Sequence, residues 1–311
     1  MLKKTRYKDN KLLWISPFVV FLAPQSALMQ RYSTTAELEN ALREQRKKKQ
    51  KIGLVPTMGA LHNGHLSLVR RSLFQNDITV VSIFVNPTQF NDSTDLEAYP
   101  RTLEKDEALL RTLEGTIWVY APEVSDIYSG IVETKYYDFK GLDTVMEGPN
   151  RPGHFEGVAT IVERLFRIVK PKKAYFGEKD YQQLQIIKLI SKQKRLGVSV
   201  IDCPIVRENS GLAMSSRNQR LSENARSEAS LIYQQLLWAK RRFTTLSFDR
   251  IKEEVAQTFT DHSLFDLEYF EIAESATLQP ALERRKNKKY RAFIAVRIEG
   301  VRLIDNLAMN E

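Results

Sequence analysis

From residue 29 onward, short continuous apolar runs alternate with longer stretches in which apolar residues recur every three or four positions. The first pattern predicts buried strands, and the second predicts helices with one face turned to a core. Ser33 or Thr34, followed by Glu37, forms a capping-box signature opening a helix through Ala36, Leu38 and Leu42. Residues 52–55 predict a strand ended by Pro56, and Leu66, Leu68, Val69 and Leu73 predict the helix after it. Residues 78–85 are mostly apolar and rich in β-branched side chains, as expected of a central parallel strand covered on both faces. That strand delivers Asn86-Pro87-Thr88-Gln89-Phe90 at its C-terminal end.

The alternation continues with a helix over 103–113, a strand over 117–120, a short strand over 136–139 and a turn-rich loop over 147–154. A helix over 155–169 carries Val158, Ile161, Val162, Leu165, Ile168 and Val169 on one face. A strand over 174–176, a helix holding Gln182, Gln183, Leu184, Ile187 and Ile190, and a strand over 198–206 close this half. Strand–helix order with short connections predicts an α/β fold, a Rossmann-like doubly wound parallel sheet. Beyond Val206 the pattern changes. A long helix over 222–242, a second over 248–259 and strands over 267–272, 291–298 and 301–304 predict a smaller α+β unit, with Glu299-Gly300 as a hairpin turn. The expected division is 29–205 and 206–311, closely abutting, because no low-complexity linker separates them.

Residues 1–28 stand apart. A basic start precedes an apolar run over 12–24 that Ser16 and Pro17 interrupt, too short to span a bilayer, which needs about 20 apolar residues. Three readings compete: a signal or transit peptide, a natural extension, or translation from upstream of a true start at Met29. The last is favoured, and the segment is expected to be poorly ordered.

Composition narrows the setting. The 311-residue chain is 42% hydrophobic and 27% charged, which argues for a folded globular protein. Its single cysteine, Cys203, lies in an apolar run, so a buried thiol in a reducing, cytoplasmic compartment is expected. The net charge of +9 would suit nucleic acid, but residues 1–28 hold five basic side chains against Asp9. Much of the rest lies over 43–51, a helix end with no aromatic residues to stack bases. Neither a nucleic-acid nor a membrane partner is expected.

The candidate chemistry gathers at the C-terminal ends of the predicted strands. Gly59 permits a turn after the strand, and His62 and His65 share one face of a helix beginning there, with Gly64 leaving the backbone open. A helix N-terminus after a glycine turn is an anion site. The other clusters are Asn86 and Gln89, Arg151, Lys179 and Asp180, Gln183, and Ser215, Ser216 and Arg217. Cations and hydrogen-bond donors dominate, as a triphosphate and a carboxylate require. Lys179 and Arg217 would neutralise charge on departing diphosphate, and His65 would donate to the same phosphate. Paired amides at Gln89 and Gln183 suit a small polar substrate. No glycine-lysine-serine phosphate loop and no Cys/His metal spacing occurs. The pattern implies transfer of adenylate to a carboxylate, followed by attack on the activated acyl group. Taken singly, 178–180 is an ordinary solvated turn and Gln182-Gln183 a helix surface. A nucleotidylyltransferase and a basic binding module remain rival readings.

Residues 56–65, 85–90, 99–101, 151–157, 176–183 and 211–218, with the final Arg302-Leu303-Ile304-Asp305-Asn306, resemble the pantoate–β-alanine ligase (pantothenate synthetase) family. His-x-Gly-His alone points only to the wider nucleotidyltransferase-like superfamily; the combination is specific. The resemblance covers residues 29–311. It implies a Rossmann-like domain with a smaller C-terminal lid, usually in a homodimer. It implies that pantoate and Mg-ATP yield pantoyl-adenylate and diphosphate, and that β-alanine then releases pantothenate and AMP. It assigns ATP to Met58, Gly59, Ala60, Leu61, His62, Asn63, Gly64, His65, Gly177, Glu178, Lys179, Asp180, Val206, Met214, Ser215, Ser216 and Arg217, with His65 as proton donor. His62, Lys179, Ser215, Ser216 and Arg217 join His65 in the catalytic set. Gln89 and Gln183 are expected to contact pantoate, with Asn86 and Arg151 beside them. The metal's ligands are left open.

Overall fold

The computed structural model describes residues 28–310 apart from Asp92 and Ser129, so the expectations for the extension ahead of Leu28 lie outside the described residues. Six parallel strands form one sheet: β1 (Leu28–Tyr32), β2 (Ile52–Thr57), β3 (Ile78–Ile83), β4 (Thr116–Tyr120), β5 (Lys173–Gly177) and β6 (Ser199–Cys203). Their order is β1-β4-β3-β2-β5-β6. The helices between them include α1 (Thr35–Lys47), α2 (Asn63–Gln75), α3 (Ser93–Glu97), α4 (Leu103–Leu110), α5 (Val124–Tyr128), α6 (Glu147–Asn150), α7 (His154–Val169) and α8 (Tyr181–Gln193).

Strand alternation explains why both faces are covered. Leu54, Val80, Trp118 and Tyr120 point to a core shared with α1, α7 and α8. Their neighbours Val55, Val81, Val119 and Tyr175 point the other way, onto α2 and Leu110 of α4. The chain winds from β2 through β3 to β4, then returns to place β5 on the other flank of β2. The C-terminal ends of β2 and β5 therefore flank the switch point, where such sheets open a crevice.

Several expectations are corrected. Leu28, assigned to the extension, begins the edge strand β1, which pairs with β4. Pro56 does not end β2, which runs through Thr57. Ile52 accepts from Lys172 on the β5 side and Thr57 accepts from Phe84 on the β3 side. Pro56 shares the parity of Ile52, so its nitrogen faces β5, where pairing has already stopped at Leu54. The strand expected over 136–139 is absent. Tyr137 and Phe139 are buried as a strand's alternate residues would be, but they lie along α7, with Lys135 N donating to Thr160 and the Tyr137 hydroxyl to Glu163. The helix expected over 103–113 ends at Leu110, and part of the 147–154 loop forms α6.

Three antiparallel strands, β7 (Phe265–Glu274), β8 (Tyr290–Ile298) and β9 (Val301–Ala308), form the second sheet. Glu299 and Gly300 both take positive φ, as a two-residue hairpin turn requires. The helix expected over 222–242 is two, α9 (Glu223–Glu228) and α10 (Ser230–Arg242). At the junction Ile232 N bonds to Ala229 O, a tightened turn that interrupts the α-helical ladder. α10 and α11 (Phe248–Thr260) cover this sheet through Ile232, Leu236, Ile251 and Val255 against Ile272, Ile294 and Val296. A further cluster joins the two halves, with Phe155, Ile186 and Ile190 against Ala273, Leu278 and Phe293.

Candidate functional site

The first wall of the crevice is the turn from β2 into α2. His62 is the N-cap of α2 and His65 the third residue of its first turn. Gly64 N donates to His62 Nδ1 over 3.1 Å, and His62 N donates to His65 Nδ1 over 3.3 Å. A serine or threonine with a glutamate usually fills these two positions. A backbone N–H can only donate, so both Nδ1 atoms are acceptors and both rings carry their proton on Nε2. The rings lie 4.1 Å apart. Burial, reinforced by Lys179, lowers the pKa of His62 to about 4; burial, reinforced by His62 and Lys179, lowers that of His65 to about 3. Both are therefore neutral donors at pH 7. The space beside Gly64 is taken by the His62 ring, 2.8 Å from where a Cβ would stand, so it is not open as its sequence context suggests.

The turn itself is pinned from outside. Gly59 has φ +80°, and Ala60 N and Leu61 N donate to Asp106 Oδ2 and Oδ1 at 3.0 and 2.7 Å. Asp106 lies on α4, almost fully buried. These two amides are thus committed to a carboxylate. Burial raises the Asp106 pKa, and the Leu61 and Ala60 amides oppose that rise.

The segment after β3 forms the floor. Asn86 is 1% exposed; its Nδ2 donates to Gln89 Oε1 and to Gly157 O, and its Oδ1 accepts from Tyr128. His154 Nδ1 bonds the Gln89 carbonyl at 2.9 Å. A Cβ on Gly157 would stand 2.3 Å from the carbonyl oxygen of Thr88 and 2.7 Å from Gln89 N, so this contact of α7 with the floor depends on glycine. Burial lowers the His154 pKa to about 4, with Arg151 acting in the same sense.

The third wall follows β5, where Lys179 Nζ lies 3.8 Å from Asp180. The fourth comes from beyond Val206. Ser215 accepts from Arg217 N, the Ser216 hydroxyl lies 3.4 Å from that of Tyr99, and Arg217 pairs with Asp95 of α3 at 2.9 Å. Arg220 pairs with the same carboxylate at 3.1 Å. Behind Arg151, Glu147 receives both terminal nitrogens of Arg302 at 2.7 and 2.8 Å and the Tyr269 hydroxyl at 2.6 Å. Burial alone would raise the Glu147 pKa, yet Arg302 and Tyr269 hold it down at about 2.

Together these walls enclose a cavity of about 240 Å³. Of the residues expected at a site, Met58, His62, Gly64, His65, Asn86, Gln89, Arg151, Gly177, Lys179, Asp180, Gln183, Val206, Met214, Ser215, Ser216 and Arg217 line it. Gly59, Ala60, Leu61, Asn63 and Glu178 do not line it; Glu178 instead meets Arg291 at 3.4 Å. A second space of about 440 Å³ shares the Arg151, Lys179 and Arg217 side of the cavity and reaches Arg297 and Arg302. Asp106, Asp95 and His154 were missed as site residues. Asp106 had one legible sign, an acid on the inward face marked by Leu103 and Leu110; Asp95 had none. Cys203 is buried, as expected, and burial raises its thiol to about 11.

Among the described residues no helix is long and apolar enough to cross a membrane. The sequence model of pantoate-beta-alanine ligase matches residues 30–308. A pantothenate synthetase of Flavobacterium psychrophilum is 52% identical over 258 residues, covering 83% of this chain and 92% of the relative. That of Azobacteroides pseudotrichonymphae is 46% identical, covering 90% and 99%. Among solved structures, pantothenate synthetase from Thermus thermophilus is 39% identical with a TM-score of 0.84, covering 91% of this chain and all of that one. The Francisella tularensis pantoate-beta-alanine ligase, complexed with beta-gamma ATP and beta-alanine, is 35% identical with a TM-score of 0.74, covering 90% and 98%. On these matches and this site, the chain belongs to the pantoate–β-alanine ligase family.

Proposed function

We propose that the chain condenses pantoate with β-alanine at the expense of ATP, giving pantothenate, AMP and diphosphate through pantoyl-adenylate. A pantoate carboxylate oxygen attacks the α-phosphorus, and the bond to the diphosphate oxygen breaks. The β-alanine amine then attacks the acyl carbon and loses a proton, and AMP leaves with the electron pair of the carbon–oxygen bond.

The observation that carries this reading is the histidine capping box. It holds two neutral Nε2–H donors at a helix N-terminus on the same cavity as Lys179 and Arg217. Donors fixed before the reaction stabilise charge developing on the phosphates without reorganising. In this reading His65 acts first as a hydrogen-bond donor, and a bound triphosphate would raise its pKa toward proton transfer. Lys179 and Arg217 hold the departing diphosphate, with the Ser215 and Ser216 hydroxyls beside them. Met58, Gly64, Gly177, Val206 and Met214 pack the nucleotide. Gln89 and Gln183 hold pantoate, Asn86 fixes the Gln89 amide, and Arg151 balances the substrate carboxylate. Mg²⁺ enters as part of Mg-ATP. Such a cation takes one or two carboxylates plus phosphate oxygens, and Asp180 is the carboxylate on the wall beside Lys179. Residues 28–205 form the binding domain and 206–311 its lid, in a cytoplasmic homodimer.

The test is pantoate-dependent exchange of labelled diphosphate into ATP without β-alanine, followed by AMP release on its addition. No exchange, or AMP release indifferent to β-alanine, would contradict the ligase reading.

A further inference from the structure

The closing motif Arg302-Leu303-Ile304-Asp305-Asn306 lies on β9, outside the parallel sheet, and Asn306 contributes nothing to the lining of the main cavity. Yet Asn306 is 2% exposed, and its Nδ2 donates to two consecutive backbone carbonyls, Glu178 O and Lys179 O, each at 2.9 Å. Its Oδ1 accepts from Arg291 Nη1 at 2.5 Å. The amide has only one workable orientation, because a guanidinium only donates and carbonyls only accept. The residues around it are fixed in turn. Asp305 accepts Asn306 N at 2.7 Å and is held by both terminal nitrogens of Arg207 at 2.6 and 3.0 Å. The Arg291 guanidinium stacks over the Tyr181 ring at 4.1 Å.

The carbonyls that Asn306 holds belong to the single turn between β5 and α8, the turn that presents Lys179 to the cavity. That turn has no side-chain cap of its own. We propose that Asn306 is a positioning residue for adenylate transfer: it sets the Lys179 backbone from the C-terminal sheet, and so couples the seating of that sheet to the charge facing the diphosphate. The inference rests on the reading of Lys179 given above.

N306D separates this role from simple folding. Aspartate keeps the shape and pairs with Arg291, but turns an acceptor toward two carbonyl oxygens. The experiment is a double-mutant cycle of N306D and K179A, read by pantoate-dependent ATP–diphosphate exchange. Capture of preformed pantoyl-adenylate by β-alanine is measured alongside, with the unfolding midpoint of each variant. A misplacement of this kind lowers exchange by about tenfold to a hundredfold. N306D should do so mainly through kcat, leave the β-alanine step within about twofold, and add little once Lys179 is alanine. Equal losses in both half-reactions, or full additivity with K179A, would overturn the link to Lys179. A K179A enzyme with undiminished exchange would instead remove Lys179 from the chemistry, and the proposal with it. Should N306D not fold, N306S, which keeps one hydroxyl donor, carries the same cycle.

Discussion

The two long walls of the crevice are built on different principles. The wall from the parallel sheet supplies uncharged donors, His62 and His65, locked by backbone amides of their own helix turn. The wall from beyond Val206 supplies charge from Arg217 and Arg220, both held by Asp95 more than 120 residues earlier in the chain. The first wall is set by covalent proximity and burial, so its geometry survives changes in solvent. The second depends on half-exposed ion pairs, which salt screens and a bound polyanion can replace. A site of this kind keeps direction-sensitive donors rigid and leaves the bulk charge adjustable.

The contrast is broken most severely by removing a donor from the rigid wall. H65A should lower adenylation by about 10²–10³, the usual loss for one preorganised donor, while circular dichroism shows the fold intact. Retention of near-full exchange would take His65 out of the chemistry. Next in size is the carboxylate behind that wall. D106A leaves Ala60 N and Leu61 N buried without their acceptor, at about 1–3 kcal/mol for each group, read as a drop in the denaturant midpoint with exchange falling in parallel. G157A should cost about 1–3 kcal/mol by overpacking against the Thr88–Gln89 backbone, with the pantoate KM rising more than that for ATP.

The pH response separates the walls further. His62, His65 and His154 have folded pKa values of about 4, 3 and 4, below the ordinary 6.5 of histidine. The unfolded chain therefore binds more protons than the folded one between those limits, and stability falls as pH drops below about 6.5 toward 4. Denaturant titrations at pH 7 and pH 5 check this sign. Replacing His65 should flatten the slope. D95A is the mildest change. The ion pairs it removes are worth about 1 kcal/mol or less, and freeing Arg217 and Arg220 should lower the ATP KM by less than about tenfold at low salt.

The same division governs how much could be read from sequence. The helix start at His62, the Thr34–Glu37 box, the β3 floor and the Glu299-Gly300 hairpin are local, so spacing and residue type suffice for each. Pro56 misled because a strand's bonding side depends on which neighbour has already stopped pairing. Residues 136–139 alternated like a strand but met a helix instead of a partner strand. Asp95, Asp106 and Asn306 act on backbone or side chains 45 to 128 positions away, and no local pattern encodes such distances. Family motifs named Asn306 without a role; only the two carbonyls in front of its amide supply one.

The central claim, that the capping box makes His62 and His65 neutral Nε2–H donors, is open to direct measurement. The chain has four histidines, so ¹⁵N imidazole spectra of the labelled protein, assigned with H62A and H65A, resolve each ring. At pH 7 both rings should report an unprotonated Nδ1 and a protonated Nε2, and both should stay neutral until the pH nears 4. A charged imidazolium at pH 7, or a proton on Nδ1 of either ring, would contradict the account.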